Sequence, residues 1–272
     1  MLGSSKSFLI VNNRGYGDVV ASVTFADFLK RSGAKHVSLG VHISHDINAF
    51  KYFTALDHIY HITDKTCLPT VLLFQYEKVF DQNWFTFDGG HTFYSQRFSG
   101  VDACEIIRPA YSIPDARHDY ALNELLPRLG LKPFHYITIH PQSKHKTRTL
   151  RLEELQSAVG LIGFETVVIG DNVEFNEAVN FTKGSSMEES FLLMHYSRAF
   201  IGVCSCWSHF AWAMRKQSFI FFSNTNQSNM WGDYHGMISS VQCGDYESGI
   251  KVDDWTPFIT WLNHFGLGKS KA

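Results

Sequence analysis

At 272 residues the chain is about twice the usual domain length of ~150 residues, and its 44% hydrophobic and 18% charged residues exclude a disordered, solvating protein. Twenty-four Lys plus Arg stand against twenty-six Asp plus Glu. That net charge of -2 excludes the global basic field with which many nucleic-acid proteins hold phosphate, though not a local basic patch.

In chain order, Phe8-Leu9-Ile10-Val11 has strand chemistry and breaks at Asn12-Asn13-Arg14-Gly15-Tyr16-Gly17-Asp18. Val19, Val23, Ala26 and Leu29 then recur at helical spacing, Gly33 closes that helix, and His36 to Val41 is a second strand. Strand, glycine turn, helix and strand make a βαβ unit, so a parallel sheet is expected. A helix is predicted near Asp46 to Phe53, with strands near His58 to Ile62 and Tyr76 to Asp81. Between Arg108 and Pro133, four prolines punctuate a looser stretch whose clear helix is Tyr120 to Leu129, capped by Gly130.

The second half repeats the grammar with a strand at Tyr136 to Ile139, a helix carrying Leu152, Leu155 and Val159, and a strand at Thr166 to Ile169 ending at Gly170. Ser186, three residues before Glu189, is a capping-box signature that starts a helix at Met187. Then come the strand Ala199 to Val203, a helix carrying Trp207, Phe210, Ala211 and Met214, the strand Phe219 to Phe222, and a terminal helix at Trp255 to Phe265. The predicted organisation is a first α/β domain over 1–115, a linker over 116–133, a second α/β domain over 134–254 and a C-terminal helix within 255–272.

Five cysteines, Cys67, Cys104, Cys204, Cys206 and Cys243, are odd in number and lack C-x-x-C pairing, which predicts free thiols in a reducing compartment. The apolar stretch Phe8 to Val11 is too short for a signal-peptide core, and no run approaches the ~20 apolar residues of a membrane span, so a cytoplasmic protein without a transmembrane segment is expected. The 15% aromatic share fits a dense core, stacking platforms for bases or a subunit interface. Composition leaves those three open.

Open parallel sheets bind ligands beyond the carboxyl ends of their strands, so the turns after the strands carry the functional signal. In the first, Gly15 and Gly17 allow close backbone approach, but Val20 replaces the third glycine of the dinucleotide fingerprint, which leaves a nicotinamide oxidoreductase standing on one turn alone. Asp18 at the helix mouth is either a catalytic carboxylate or a complement to the helix dipole. The turn His140-Pro141-Gln142-Ser143-Lys144-His145-Lys146-Thr147-Arg148 offers cations suited to a diphosphate, or else a solvated basic loop. Gly202-Val203-Cys204-Ser205-Cys206-Trp207-Ser208-His209 opens a helix whose amides can receive an anion. Cys204, Cys206 and His209 would be an alternative metal set, but the C-x-C-x-x-H spacing lacks a nearby fourth ligand, and no metal site is predicted. His42 and His45 show no ligand spacing.

These turns together resemble the heptosyltransferase family, glycosyltransferase family 9. Arg14-Gly15-Tyr16-Gly17-Asp18-Val19-Val20 is similar to that family's R-x-x-x-G-D motif with one residue fewer, and Glu77 to Asp81 to its acidic strand end. His140-Pro141 followed by Arg148 resembles its H-P-G…K-x-W loop, with Gln142, Arg148 and Leu150 at the departing positions, and Gly170-Asp171 resembles its G-G turn. Ala199 to Ala213 is similar to F-I-G-N-D-S-G-x-x-H-x-A-x-A, with Cys204 in place of Asp and Cys206 in place of Gly, while Ser205 and His209 are retained.

The resemblance implies a GT-B type α/β fold, two Rossmann-like domains with parallel sheets facing a cleft, and an inverting, metal-independent transfer of sugar from a nucleotide diphosphate sugar to a hydroxyl acceptor. Through it Asp18 becomes the general base, with Asn13, Arg14, Gly15 and Gly17 as the acceptor-side loop. Ser143, Lys144, Lys146, Arg148, Ser205, Cys206, Trp207 and His209 would bind the donor phosphates, and Gly170 and Asp171 the nucleoside. The nucleotide sugar is a co-substrate and no cofactor is implied; the absence of a D-x-D triplet agrees with a metal-free reaction. The acceptor is a glycan or, alternatively, a hydroxymethylated DNA base such as hydroxymethylcytosine, for which the aromatics and the local cations Arg14, Lys51 and Arg97 speak. A third reading is a non-catalytic nucleotide-sugar-binding protein, with Cys204 and Cys206 marking a decayed donor site.

Overall fold

The computed structural model describes residues 6–12, 15–42, 44, 46–62, 76–81, 108–143, 146–170, 175–182, 186–223, 238–242 and 249–269. The chain divides into two compact units, Met1–Ile113 and Pro114–Ala272. No described helix is long and apolar enough to cross a membrane.

The first unit is built on β1 (Ser7–Asn12), α1 (Tyr16–Arg31), β2 (His36–His42), β3 (His58–Ile62) and β4 (Lys78–Asp81). All pairings are parallel, in the order β3-β2-β1-β4, with Leu9 opposite both Ser38 and Val79. Residues 8–12 of β1 are buried in succession, the signature of a strand covered on both faces. The helix expected near Asp46 to Phe53 is only a 3-10 turn, Asn48–Tyr52. Asp46 Oδ1 accepts from Asn48 N at 3.0 Å and Phe53 N donates to Phe50 O at 3.1 Å, so both ends are closed too tightly for an α-helix to continue.

The second unit opens with a helical stretch, α2, made of Asp115–Tyr120, a π-helical turn Ala121–Leu125 and Leu126–Arg128. It starts earlier than the predicted Tyr120, because Pro114 sits at the N-cap, where a proline costs nothing. The widened turn covers Asn123, whose carbonyl the Pro127 ring would crowd in a regular α-helix. Gly130, at φ +71°, ends the stretch. The segment expected as a linker, 116–133, is therefore packed structure of the second unit. Arg117 pairs with Glu188 at 2.6 Å, and Tyr120 and Arg128 reach Glu189 at 2.5 and 3.2 Å.

Then follow β5 (Tyr136–His140), α3 (Leu152–Leu161), β6 (Glu165–Ile169), β7 (Val179–Phe181), α4 (Met187–Tyr196), β8 (Ala199–Val203), α5 (Cys206–Ala213), β9 (Gln217–Phe222), β10 (Ile238–Gln242) and α6 (Thr256–His264). The strands order as β10-β9-β8-β5-β6-β7, all parallel. Counted from β5, this is the 3-2-1-4-5-6 arrangement of a dinucleotide-type fold. The described strands of the first unit reproduce the first four positions, 3-2-1-4, of the same order. β7 and β10 were not predicted: one spans three residues, and the other reads Ile-Ser-Ser-Val-Gln without an apolar run.

The terminal helix docks on the second sheet. Phe258 lies 5.0 Å from Phe219 and 5.6 Å from Phe221, Trp261 lies 5.6 Å from Phe219, and Trp255 lies 5.9 Å from Phe221. Much of the aromatic content is thus core, each ring burying large apolar area in tilted or edge contacts. The capping box is formed as expected: Glu189 N donates to Ser186 Oγ at 3.0 Å and Ser186 N to Glu189 Oε2 at 3.4 Å.

Candidate functional site

In both sheets the strand order reverses beside the first strand, between β1 and β4 and between β5 and β8. Crevices at the carboxyl ends of such strands are where this fold receives ligands. The described candidate residues cluster at those two strand ends.

In the first unit, α1 starts at Tyr16, so Asp18 occupies its third position, half-exposed in the first turn. A side chain at Gly15 would begin 3.8 Å from Asp18 Oδ2, which keeps the carboxylate at the mouth of the turn and out of the packed interior. Gly15 has φ -66° and ψ 162°, a backbone any residue adopts, and a Cβ there would meet only ordinary contact. The turn is pinned from beneath. Buried Asn12, the last residue of β1, donates through Nδ2 to Asp18 O at 2.9 Å and to Ser22 Oγ at 2.7 Å, and Ser22 Oγ donates to Asp18 O at 3.0 Å. Beside it, Tyr16 stacks on Phe50 at 6.0 Å and its hydroxyl accepts from Asp46 N at 2.6 Å. By sequence Asn12 reads as turn chemistry; its place at the end of an apolar run is the signal for a buried anchor.

In the second unit, His140 ends β5 and Ser205 precedes α5, and the two meet: Ser205 Oγ lies 3.0 Å from His140 Nδ1. Burial pushes the imidazole down to a pKa of about 3, so the ring is neutral. Gly170 follows β6 at φ +108°, and a Cβ there would fall 2.5 Å from His140 Cδ2 and 2.6 Å from Nε2. Glycine is required twice over, by the backbone angle and by the ring against it. Ser208 steadies the helix entry by donating to Ser205 O at 2.6 Å and accepting from Ser205 N at 3.4 Å. No acidic residue occupies the first turn of α5 or of α6, whereas α1 has Asp18, α3 has Glu153 and Glu154, and α4 has Glu188 and Glu189. The positive end of α5 is thus left without an acid of its own, as an anion site needs.

The basic turn is a closed loop. Leu150 N donates to Pro141 O at 2.8 Å, Ser143 N donates to Thr149 Oγ1 at 3.2 Å, and Thr149 Oγ1 donates back to Ser143 O at 3.3 Å. This holds Lys146 and Arg148, exposed and half-exposed, on the 3-10 turn Lys146–Arg148. Of the predicted phosphate ligands, Ser143, Ser205 and Cys206 are half-exposed. Trp207 and His209 are 5% and 4% exposed, and Trp207 lies 6.2 Å from His140 and 5.3 Å from Phe210. Cys204 is buried and Cys206 half-exposed. Among the described residues no three His, Cys, Asp or Glu side chains are grouped to hold a metal ion, so Cys204, Cys206 and His209 do not form such a set. Asn13, Arg14, Lys144, Asp171, His45, Arg97, Cys67, Cys104 and Cys243 lie outside the described residues. His140 joins the β5 and β8 ends through Ser205, and by sequence it is visible only as part of a loop motif.

No protein-family model matches the chain, and no curated protein matches it. Solved structures do. A glycosyl transferase family 9 protein from Veillonella parvula superposes with a TM-score of 0.70 at 12% identity, over 96% of this chain and 92% of that one. The ADP-heptose lps heptosyltransferase II of E. coli gives 0.68 at 9% identity, over 95% and 98%. The E. coli heptosyltransferase WaaC with ADP gives 0.63 at 10% identity, again over 95% and 98%. The chain therefore has the fold of these glycosyltransferases along nearly its whole length, as the motif resemblance implied.

Proposed function

We propose that the protein is a glycosyltransferase that moves a sugar from a nucleoside diphosphate sugar to a hydroxyl acceptor. The observation that carries the reading is the mouth of α5, where a helix N-terminus without an acid, the Ser205 hydroxyl and neutral His140 converge at the strand-order reversal. A diphosphate suits that mouth, and Lys146 and Arg148 on the neighbouring loop add the charge to hold it. Gly170, with Asp171 next in sequence, is the proposed nucleoside side of the donor site.

In the proposed reaction Asp18 takes the acceptor hydroxyl proton as its oxygen bonds to the anomeric carbon. The bond from that carbon to the diphosphate breaks on the opposite face, its electron pair leaves with the diphosphate, and the configuration inverts. Ser205, the α5 amides and the loop cations stabilise the leaving charge, so the reaction is proposed to need no metal. Asp18→Asn keeps the shape and removes the base. It is expected to lower transfer by about 10²–10⁴ while nucleotide affinity stays within a few-fold. Transfer surviving that change would overturn the role of Asp18; donor binding without any turnover would make the protein a nucleotide-sugar-binding protein instead.

A further inference from the structure

We infer that the buried Ser223 hydroxyl, at the carboxyl end of β9, contacts the sugar that is transferred. The inference rests on the donor-site reading above and extends it from the diphosphate to the group that is passed on.

Ser223 directly follows the apolar strand β9 and is 2% exposed. Among the described residues its Oγ has no hydrogen-bond partner. Buried hydroxyls at the other end of the same sheet are satisfied within the chain: Ser218 Oγ, near the start of β9, donates to Lys216 O at 2.9 Å, and Ser197 Oγ, just before β8, donates to Met194 O at 2.8 Å. The contrast is between the two ends of one sheet. A buried hydroxyl without a partner costs stability, so a folded chain keeps one for a reason, and the carboxyl end of an open parallel sheet, where ligands bind, supplies that reason.

Position selects the part of the ligand. Strands β8 and β9 pair in parallel with Val203 opposite Phe221, and two residues further along each chain stand Ser205, the N-cap of α5, and Ser223. The order β6-β5-β8-β9 therefore runs from Gly170, on the proposed nucleoside side, past His140 and the proposed diphosphate mouth to Ser223. Neighbouring strands lie ~4.8 Å apart, which places Ser223 one strand beyond the mouth on the side away from the nucleoside. In a nucleoside diphosphate sugar, that side carries the sugar. The chemistry agrees, because a hydroxyl both donates and accepts: a phosphate oxygen would use its proton alone, whereas a sugar hydroxyl answers both capacities.

The test compares the full chain with Ser223→Ala by calorimetric affinity for three pairs of ligands, ADP-glucose with ADP, GDP-mannose with GDP and UDP-glucose with UDP. For the pair that the unaltered protein binds most tightly, Ser223→Ala is expected to weaken the nucleotide sugar about fivefold to tenfold and the parent nucleotide by less than about twofold. Thermal unfolding without ligand is the second readout. There the variant is expected to unfold at the same temperature as the unaltered protein or higher, since it deletes a buried hydroxyl that the folded chain leaves unsatisfied. A loss shared equally by nucleotide sugar and parent nucleotide, or no loss for either, would overturn the assignment. So would a lower unfolding temperature, the mark of a hydroxyl held by the protein itself or by a buried water. If none of these ligands binds the unaltered protein, the functional reading falls and this assignment with it; parent nucleotides that bind while none of their sugars does sink the assignment alone.

Discussion

The mouths of α1 and α5 follow different strands of two sheets of related strand order, β1 at the first position of one and β8 at the fourth of the other, and they carry opposite chemistry. In each, a short turn leads from an inner strand into a helix, and the third helical residue lies in the first turn: Asp18 in α1, Ser208 in α5. Beneath each turn a buried polar residue at a strand's last position anchors the entry, Asn12 to the main chain of Asp18 and His140 to the hydroxyl of Ser205. A carboxylate at the first mouth opposes an anion and suits a proton acceptor, whereas the second mouth offers donors alone. One supersecondary unit thus yields a basic function or an anion site according to one side chain.

Several substitutions sharpen or break this contrast. The largest expected effect is the loss of transfer in Asp18→Asn, which leaves stability within ~1 kcal/mol because a half-exposed first-turn acid contributes little to the fold. Next, Gly170→Ala forces a φ of +108° on a side chain and drives its Cβ into His140. A loss of about 2–4 kcal/mol in denaturant unfolding is expected, together with weakened nucleotide affinity. Lys216→Met tests the second unit away from its site. Lys216 Nζ donates to His195 O at 2.5 Å and Ser197 O at 2.6 Å, at the C-terminal end of α4. Orphaning those carbonyls is expected to cost about 2–3 kcal/mol with nucleotide affinity unchanged.

The smallest effect is a pH dependence confined to the second unit. Burial lowers the His140 pKa to about 3, and burial with Lys216 and His118 nearby lowers that of His195 to about 4. Below their ordinary value of ~6.5 the unfolded chain binds protons that the folded chain does not, so stability falls as pH drops from ~6.5 toward those folded values. The slope is on the order of 1 kcal/mol per pH unit for His140 and less for the partly exposed His195. In the first unit, burial acts to raise the Asp57 pKa, but the Lys30 ammonium and the Val37 amide outweigh it and hold the carboxyl below its ordinary range. Its contribution is lost only in stronger acid. Hydrogen exchange at pH 7 and pH 5 is expected to show protection falling in β5, β8 and α4 while β1 and β2 hold.

Much of this was legible in the sequence. The continuous apolar runs of β1 and β8 declared strands buried on both faces, and Ser186 with Glu189 declared a helix start, because each depends on neighbours in the chain. The prolines after Arg108 misled, since Pro114 and Pro127 break a helix only where the local geometry cannot absorb them, and an N-cap and a π turn absorb them here. Strand β10 was invisible because its pairing with β9, and not its composition, makes it a strand. At the candidate site, Asp18, Ser205 and the basic loop could be read from their turns. The partnership of His140 with Ser205 spans 65 residues of sequence and arises only when β5 and β8 lie side by side.

The central claim, that the anion binds at the second mouth and the acid serves at the first, is tested most directly by exchanging the chemistry of the third helical residue. Nucleoside diphosphate affinity is measured for the unaltered protein, Ser208→Asp and Asp18→Asn. A loss of about tenfold or more is predicted for Ser208→Asp, because the new carboxylate in the first turn of α5 would oppose an anion at that helix N-terminus, and little change for Asp18→Asn. Undiminished binding in folded Ser208→Asp, or a large change in Asp18→Asn instead, would contradict the account.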